Sequence, residues 1–126
     1  MRLVLDSSFA IDHLRGLPEA VRRLSDLLEA GDEPIVTDVV VTEVWSGTGS
    51  DDVPAIEAFF RYMEFVQPGP ATAKLAGRLR ALARDRGRTL GLGDAMIAAS
   101  AVHLGAAVLT RNVRDFALTP VRVETY

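Results

Sequence analysis

Gly93-Asp94-Ala95-Met96-Ile97-Ala98-Ala99-Ser100-Ala101-Val102-His103-Leu104-Gly105-Ala106-Ala107-Val108-Leu109-Thr110 is the stretch from which the fold can be read. Residues 93 to 104 are apolar almost all round, which predicts a central, buried helix rather than one lying on a surface. Gly105 is the residue type that stops a helix. Ala106-Ala107-Val108-Leu109-Thr110 is a short aliphatic run of the kind that forms a buried strand. The small residues Ala95, Ala98, Ala99 and Ala101 let a backbone pack tightly, which would bring Asp94, the only formal charge on this helix, close to the sheet.

Outward from that unit, the same alternation recurs. Leu3-Val4-Leu5, Pro34-Ile35-Val36-Thr37, Phe65-Val66 and Val121-Arg122-Val123 read as further strands, each brief and bounded by Gly, Pro or Asp. Leu17, Val21, Leu24, Leu27 and Leu28 recur at helical steps between Pro18 and Gly31, residues suited to a helix start and stop. Residues 71 to 86 predict a helix with Leu75, Leu79, Leu82 and Ala83 inward and arginines outward. Strands alternating with helices imply right-handed βαβ units. The expectation is an α/β fold, a three-layer α/β/α sandwich around a central parallel sheet of about five strands.

The 126 residues are one domain by length, with no linker, repeat or low-complexity segment. Absence of cysteine excludes disulfides, thiolate metal sites and cysteine nucleophiles. The two histidines, His13 and His103, have no partner at ligand spacing and read as structural or solvated. No run of about 18 apolar residues exists to span a membrane. Met1-Arg2-Leu3-Val4-Leu5-Asp6 reaches an acid too soon for a signal-peptide core, so a cytoplasmic protein is expected. The net charge of −3 argues against a strongly basic nucleic-acid binder, yet the average hides a pattern. All basic residues but Lys74 are arginine, and Arg78, Arg80, Arg84, Arg86 and Arg88 are bunched together.

Four acids stand out by position. Asp6 directly follows the first strand, at the carboxyl end where open parallel sheets bind ligands. Glu43 lies past the first turn of a helix expected to begin at Thr37 or Asp38, with Val39, Val40 and Gly47 as its helical neighbours. Asp94 opens the buried helix, and Asp115 follows the fourth strand in what reads as a polar loop. Each has a plainer role available, in capping, dipole compensation or an Asx turn. Together they would crowd like charges into one crevice, where carboxylates protonate or take up cations. An all-oxygen site selects hard ions such as Mg²⁺ or Mn²⁺. Such ions can activate water for in-line displacement at phosphorus.

In this order, Leu5-Asp6-Ser7-Ser8, Thr42-Glu43-Val44 with Gly47, Gly93-Asp94-Ala95 with Ile97-Ala98-Ala99, and Leu109-Thr110-Arg111-Asn112-Val113-Arg114-Asp115-Phe116 resemble the motifs of the PIN-domain ribonucleases. Within that family they resemble the VapC toxins of bacterial toxin–antitoxin pairs. The resemblance runs from Leu3 to about Val123. It implies an endoribonuclease that cuts RNA with Mg²⁺ or Mn²⁺ held by Asp6, Glu43, Asp94 and Asp115, with Asp6 and Asp94 as the direct ligands. Some relatives carry an acid at the position of Asn112, so Asn112 and Thr110 are expected as polar support beside Asp115. Ser7 or Ser8 is expected to orient Asp6 or a metal-bound water. Ser7, Thr110, Arg111, Asn112 and Arg114 are the candidate substrate-binding residues. A homodimer and a VapB-like antitoxin, whose basic C-terminal segment enters the acidic site, are implied as well.

A cluster of acids repels RNA, so flanking arginines are needed to hold phosphates. Arg111 and Arg114, beside the last motif, suit that role better than the bunch from Arg78 to Arg88, which also reads as a solvated helix face. Trp45, Phe59, Phe60, Tyr62 and Phe65 are read as core or dimer interface before base-stacking platforms, and Gly91-Leu92-Gly93 lacks the rest of a phosphate loop. Competing functions fit less well. A receiver-type signalling domain would need an acceptor Asp after the third strand, where Gln67-Pro68 stands. A dehalogenase-like phosphatase would need a second Asp where Ser8 stands. A catalytically inactive PIN-like binding module remains as the alternative, disfavoured by the presence of all four acids.

Overall fold

The structure, a computed structural model, describes all 126 residues. The strands are β1 (Arg2–Leu5), β2 (Glu33–Thr37), β3 (Glu64–Val66), β4 (Ala107–Leu109) and β5 (Val123–Glu124). The helices are α1 (Ser7–Leu14), α2 (Pro18–Glu29), α3 (Asp38–Ser46), α4 (Val53–Phe60), α5 (Pro70–Asp85), α6 (Leu92–Leu104) and α7 (Val113–Phe116). All strand pairs are parallel, in the order β3-β2-β1-β4-β5.

Leu3, Val4 and Leu5 of the central β1 are completely buried, as are Val108 and Leu109 of β4 beside it. That burial on both faces is what continuous aliphatic runs signal. Helix α6 is lined by buried Ala95, Ile97, Ala98, Ala99 and Ala101, and it ends at Gly105 with φ of 62°, a left-handed conformation that a Cβ disfavours. The five-strand parallel sheet and the central helix thus follow the sequence reading.

Differences from that reading are local. Helix α5 buries Thr72, Ala76, Leu79 and Ala83, while Leu82 is exposed, because its step along the helix carries it off the stripe that meets α6. The segment after β4 is not all loop: Asp115 sits in the short helix α7, capped onto Asn112 by backbone bonds from Asp115 and Phe116. Helix α4, which the strand-and-helix pattern did not separate, buries only Ile56 and Phe59. Phe59 is core, whereas Tyr62 and Phe65 are exposed.

Chain order explains where the site lies. The path runs from β1 outward through β2 to β3, then returns to add β4 and β5 on the other side of β1. The reversal leaves a crevice at the carboxyl ends of β1 and β4. There the Asp6 N–H donates to the Leu109 carbonyl at 3.0 Å, so Asp6 and Thr110 leave the sheet side by side.

Candidate active site

Asp6 is almost fully buried at the start of α1. A buried carboxylate without partners would cost several kcal/mol or take up a proton. Here two hydroxyls serve it: Ser8 Oγ and Thr110 Oγ1 both donate to Asp6 Oδ2, at 2.7 and 2.8 Å. The β4–α7 turn in turn aims those hydroxyls with its backbone. The Arg111 N–H donates to Ser8 Oγ at 3.2 Å and the Asn112 N–H to Thr110 Oγ1 at 2.8 Å. Thr110, fully buried, thus braces Asp6.

Glu43 comes in from α3 and is exposed. Ser7 Oγ donates to its Oε2 at 2.9 Å, so Ser7 and Ser8, neighbours on α1, hold different acids. Ser7 is itself buried, with its hydroxyl committed to that carboxylate. Asp94, half-buried in the first turn of α6, faces the other acids. Its carboxyl is pushed up to about 6, first by burial and then by the charges of Asp6, Asp115 and Glu43. Glu43 and α6 also meet closely at Gly93. Asp115, Asn112 and Arg114 are exposed on and beside α7.

The structure thus brings Asp6, Glu43 and Asp115 within electrostatic reach of Asp94. As the side chains stand, no three of them are gathered closely enough to hold an ion. The donors at hand are carboxylate and hydroxyl oxygens with no sulfur or imidazole, a set that fits a hard divalent cation.

Sequence reasoning missed one acid. Asp12, also on α1, is buried and accepts two bonds from Arg111 Nη1, both at 2.8 Å, and one from the Tyr126 hydroxyl at 2.7 Å. Burial and the Asp12 carboxylate raise the Tyr126 pKa well above its ordinary range, so the phenol stays a donor. The available signal was an acid four residues after Ser8, hence on the same face of α1. The two histidines behave as structural groups: His103 Nδ1 lies 2.7 Å from Thr72 Oγ1, and His13, its pKa lowered by burial, packs 4.9 Å from the Phe59 ring.

The PIN domain family model matches residues 3–120. Ribonuclease VapC19 of Mycobacterium tuberculosis is 34% identical over 117 residues, covering 93% of this chain and 94% of that protein. The tRNA(fMet)-specific endonuclease VapC of Shigella flexneri is 26% identical over 121 residues, covering 92% and 90%. Among solved structures, the fold is similar to VapBC2 from Rickettsia felis bound to a promoter DNA fragment, with a TM-score of 0.88 at 19% identity over 100% of this chain and 99% of that one. It is also similar to DNA-bound VapBC from Salmonella typhimurium, with a TM-score of 0.86 at 24% identity over 99% and 98%.

Proposed function

We propose a function that starts from family: this chain belongs to the PIN-domain family, and it is an endoribonuclease that hydrolyses RNA phosphodiester bonds as the toxin of a VapBC-type toxin–antitoxin pair. The reaction takes place at the carboxyl ends of β1 and β4, with Asp6, Glu43, Asp94 and Asp115 as the catalytic acids. The observation that carries this reading is the placing of Asp6, Glu43 and Asp115 around Asp94 beyond the ends of β1 and β4, where burial first, and then those three charges, push the Asp94 carboxyl up. Acids that destabilise one another in the free protein are costly unless a cation repays the cost.

Mg²⁺ or Mn²⁺ would be held by Asp6 and Asp94, with Glu43 and Asp115 completing the charge. When bound, such an ion lowers the pKa of water and neutralises the charge that develops on phosphate oxygens. Ser8 and Thr110 hold Asp6 in one orientation; Ser7 does the same for Glu43. Asp94 lies in the first turn of α6. Arg114 and Asn112, exposed beside Asp115, contact RNA phosphates. The turn from α5 to α6, tied by Arg80 Nε donating to the Leu90 carbonyl at 3.1 Å, carries Arg84, Arg86 and Arg88 toward the end of α6 that bears Asp94. These arginines extend the phosphate-binding surface.

Partners follow from the same reading: a VapB-like antitoxin inserts a basic segment among the acids, and the chain pairs with a second copy of itself. No helix is long and apolar enough to cross a membrane.

The test uses purified protein and RNA. Cleavage with Mg²⁺ or Mn²⁺, abolished by EDTA and by Asp6→Asn or Asp94→Asn in folded protein, is the expected result. Full activity in either variant would refute the assignment of the acids.

A further inference from the structure

Arg111 binds helix α1 at two points one helical turn apart. Its backbone N–H reaches Ser8 Oγ at 3.2 Å, and its guanidinium reaches Asp12 at 2.8 Å. Ser8 and Asp12 lie on one face of α1 because residues four apart stack along a helix. The side chain of Asp12 is 6% exposed and that of Arg111 59%, so the acid is anchored in the interior while the guanidinium spans outward over it. The Tyr126 hydroxyl takes Asp12 Oδ2 as well, and its ring packs edge-on against buried Phe9 at 5.1 Å. The ion pair joins residues 99 positions apart and clamps the β4–α7 turn against α1.

That turn also orders the hydroxyls that hold Asp6. If it lifted, the Arg111 and Asn112 amides would leave Ser8 and Thr110, and both donors to Asp6 Oδ2 would lose their aim. We infer that Arg111, through its ion pair with Asp12, is a positioning residue for the Asp6 carboxylate, with Tyr126 as a second brace on Asp12. This rests on the nuclease reading given above, and it assigns the Arg111 guanidinium to Asp12 in place of RNA. The pair couples one end of the chain to the catalytic acid through a continuous set of hydrogen bonds: Tyr126 to Asp12, Arg111 to Asp12 and Ser8, Ser8 to Asp6.

Two roles for Arg111 separate cleanly in kinetics. A phosphate contact would raise KM and reduce the salt dependence of RNA binding by about one counterion when removed. A positioning residue lowers kcat and weakens cation binding, and partners that orient ligand groups are typically worth roughly 10–100-fold. The experiment compares Arg111→Ala, Asp12→Asn, their double variant and Tyr126→Phe with the wild type. It measures kcat and KM on RNA with Mg²⁺, the salt slope of RNA binding, Mn²⁺ affinity by electron paramagnetic resonance, and folding by circular dichroism.

The expected result is that Arg111→Ala and Asp12→Asn each lower kcat and Mn²⁺ affinity by about tenfold or more. KM and salt slope should stay at wild-type values, and the double variant should be no worse than either single one. Tyr126→Phe, the mildest change and the safeguard should a larger one unfold the protein, should weaken Mn²⁺ binding in the same direction by a smaller factor. Wild-type Mn²⁺ affinity in every folded variant would overturn the inference, as would a raised KM with lower salt slope in Arg111→Ala alone. Failure of the wild type itself to bind Mn²⁺ or cut RNA would overturn the nuclease reading, an outcome distinct from a failure of the clamp.

Discussion

Gly93 lies so close to Glu43 that a methyl group added at its Cα would stand 2.9 Å from Glu43 Oε1. The contact is with the far end of a side chain, not with backbone, so the protein can accommodate it by moving the carboxylate. Gly93→Ala should therefore leave the melting temperature unchanged or slightly higher, since alanine favours the helix by about 1 kcal/mol over glycine. RNA cleavage should fall roughly tenfold as Glu43 is displaced from Ser7, about 1.4 kcal/mol of transition-state stabilisation. Thermal melting together with single-turnover cleavage checks both halves, and a stable variant of undiminished activity would remove Glu43 from the site.

Asp94→Asn separates catalysis from stability. The substitution removes a charge that three other acids oppose. Metal-free protein should melt at the wild-type temperature or a few degrees above it, while cleavage drops by at least about 100-fold, as loss of an essential charge-stabilising group does. A large fall in melting temperature would assign Asp94 to dipole compensation instead.

The same acid has a pH signature. Its carboxyl, ordinarily near 3.8, titrates at about 6 in the folded chain. Between those values the native state keeps a proton that the unfolded chain has released, so stability falls as pH rises through the window and the contribution is lost above it. Discounted for a half-exposed setting, the loss is about 1–2 kcal/mol. Urea unfolding of metal-free wild type and Asp94→Asn from pH 4 to pH 7 should show the two converging toward acid and diverging toward neutral, with the variant ahead.

Gly105→Ala tests the end of the central helix. With φ at 62° and no atom within 4 Å of an added Cβ, only backbone conformation opposes the change. A left-handed residue with a side chain costs about 1–2 kcal/mol, which is a drop of roughly 3–8 °C in melting temperature. Activity measured well below the transition should be unaltered.

What could be read in the residues, and what could not, follows from the range of the forces. Strands β1, β2 and β4 and helix α6 are legible because burial on both faces writes an unbroken apolar run, and Gly105 and Gly31 mark helix ends through backbone conformation alone. The positions of Asp6 and Asp94 are legible because Asp6 directly follows β1 and Asp94 lies in the first turn of α6. Leu82 misled because it keeps helical spacing with Leu75 and Leu79 yet points off the contact stripe, which depends on where α6 lies. Asp12 was illegible for a stronger reason: its partners, Arg111 and Tyr126, come from the far part of the chain, and no local pattern announces a pairing made only on folding.

The four acids are not held alike. Asp6 is interior and doubly braced, whereas Glu43 and Asp115 stand in solvent and Asp94 between. The arrangement resembles a vice with one fixed jaw. Under the proposed function, a cation would find its seat set by the interior Asp6, and the exposed Asp115 would adapt to its radius. On that reading, exchange of one small divalent ion for a slightly larger one should shift the outer acids and leave the sheet end untouched.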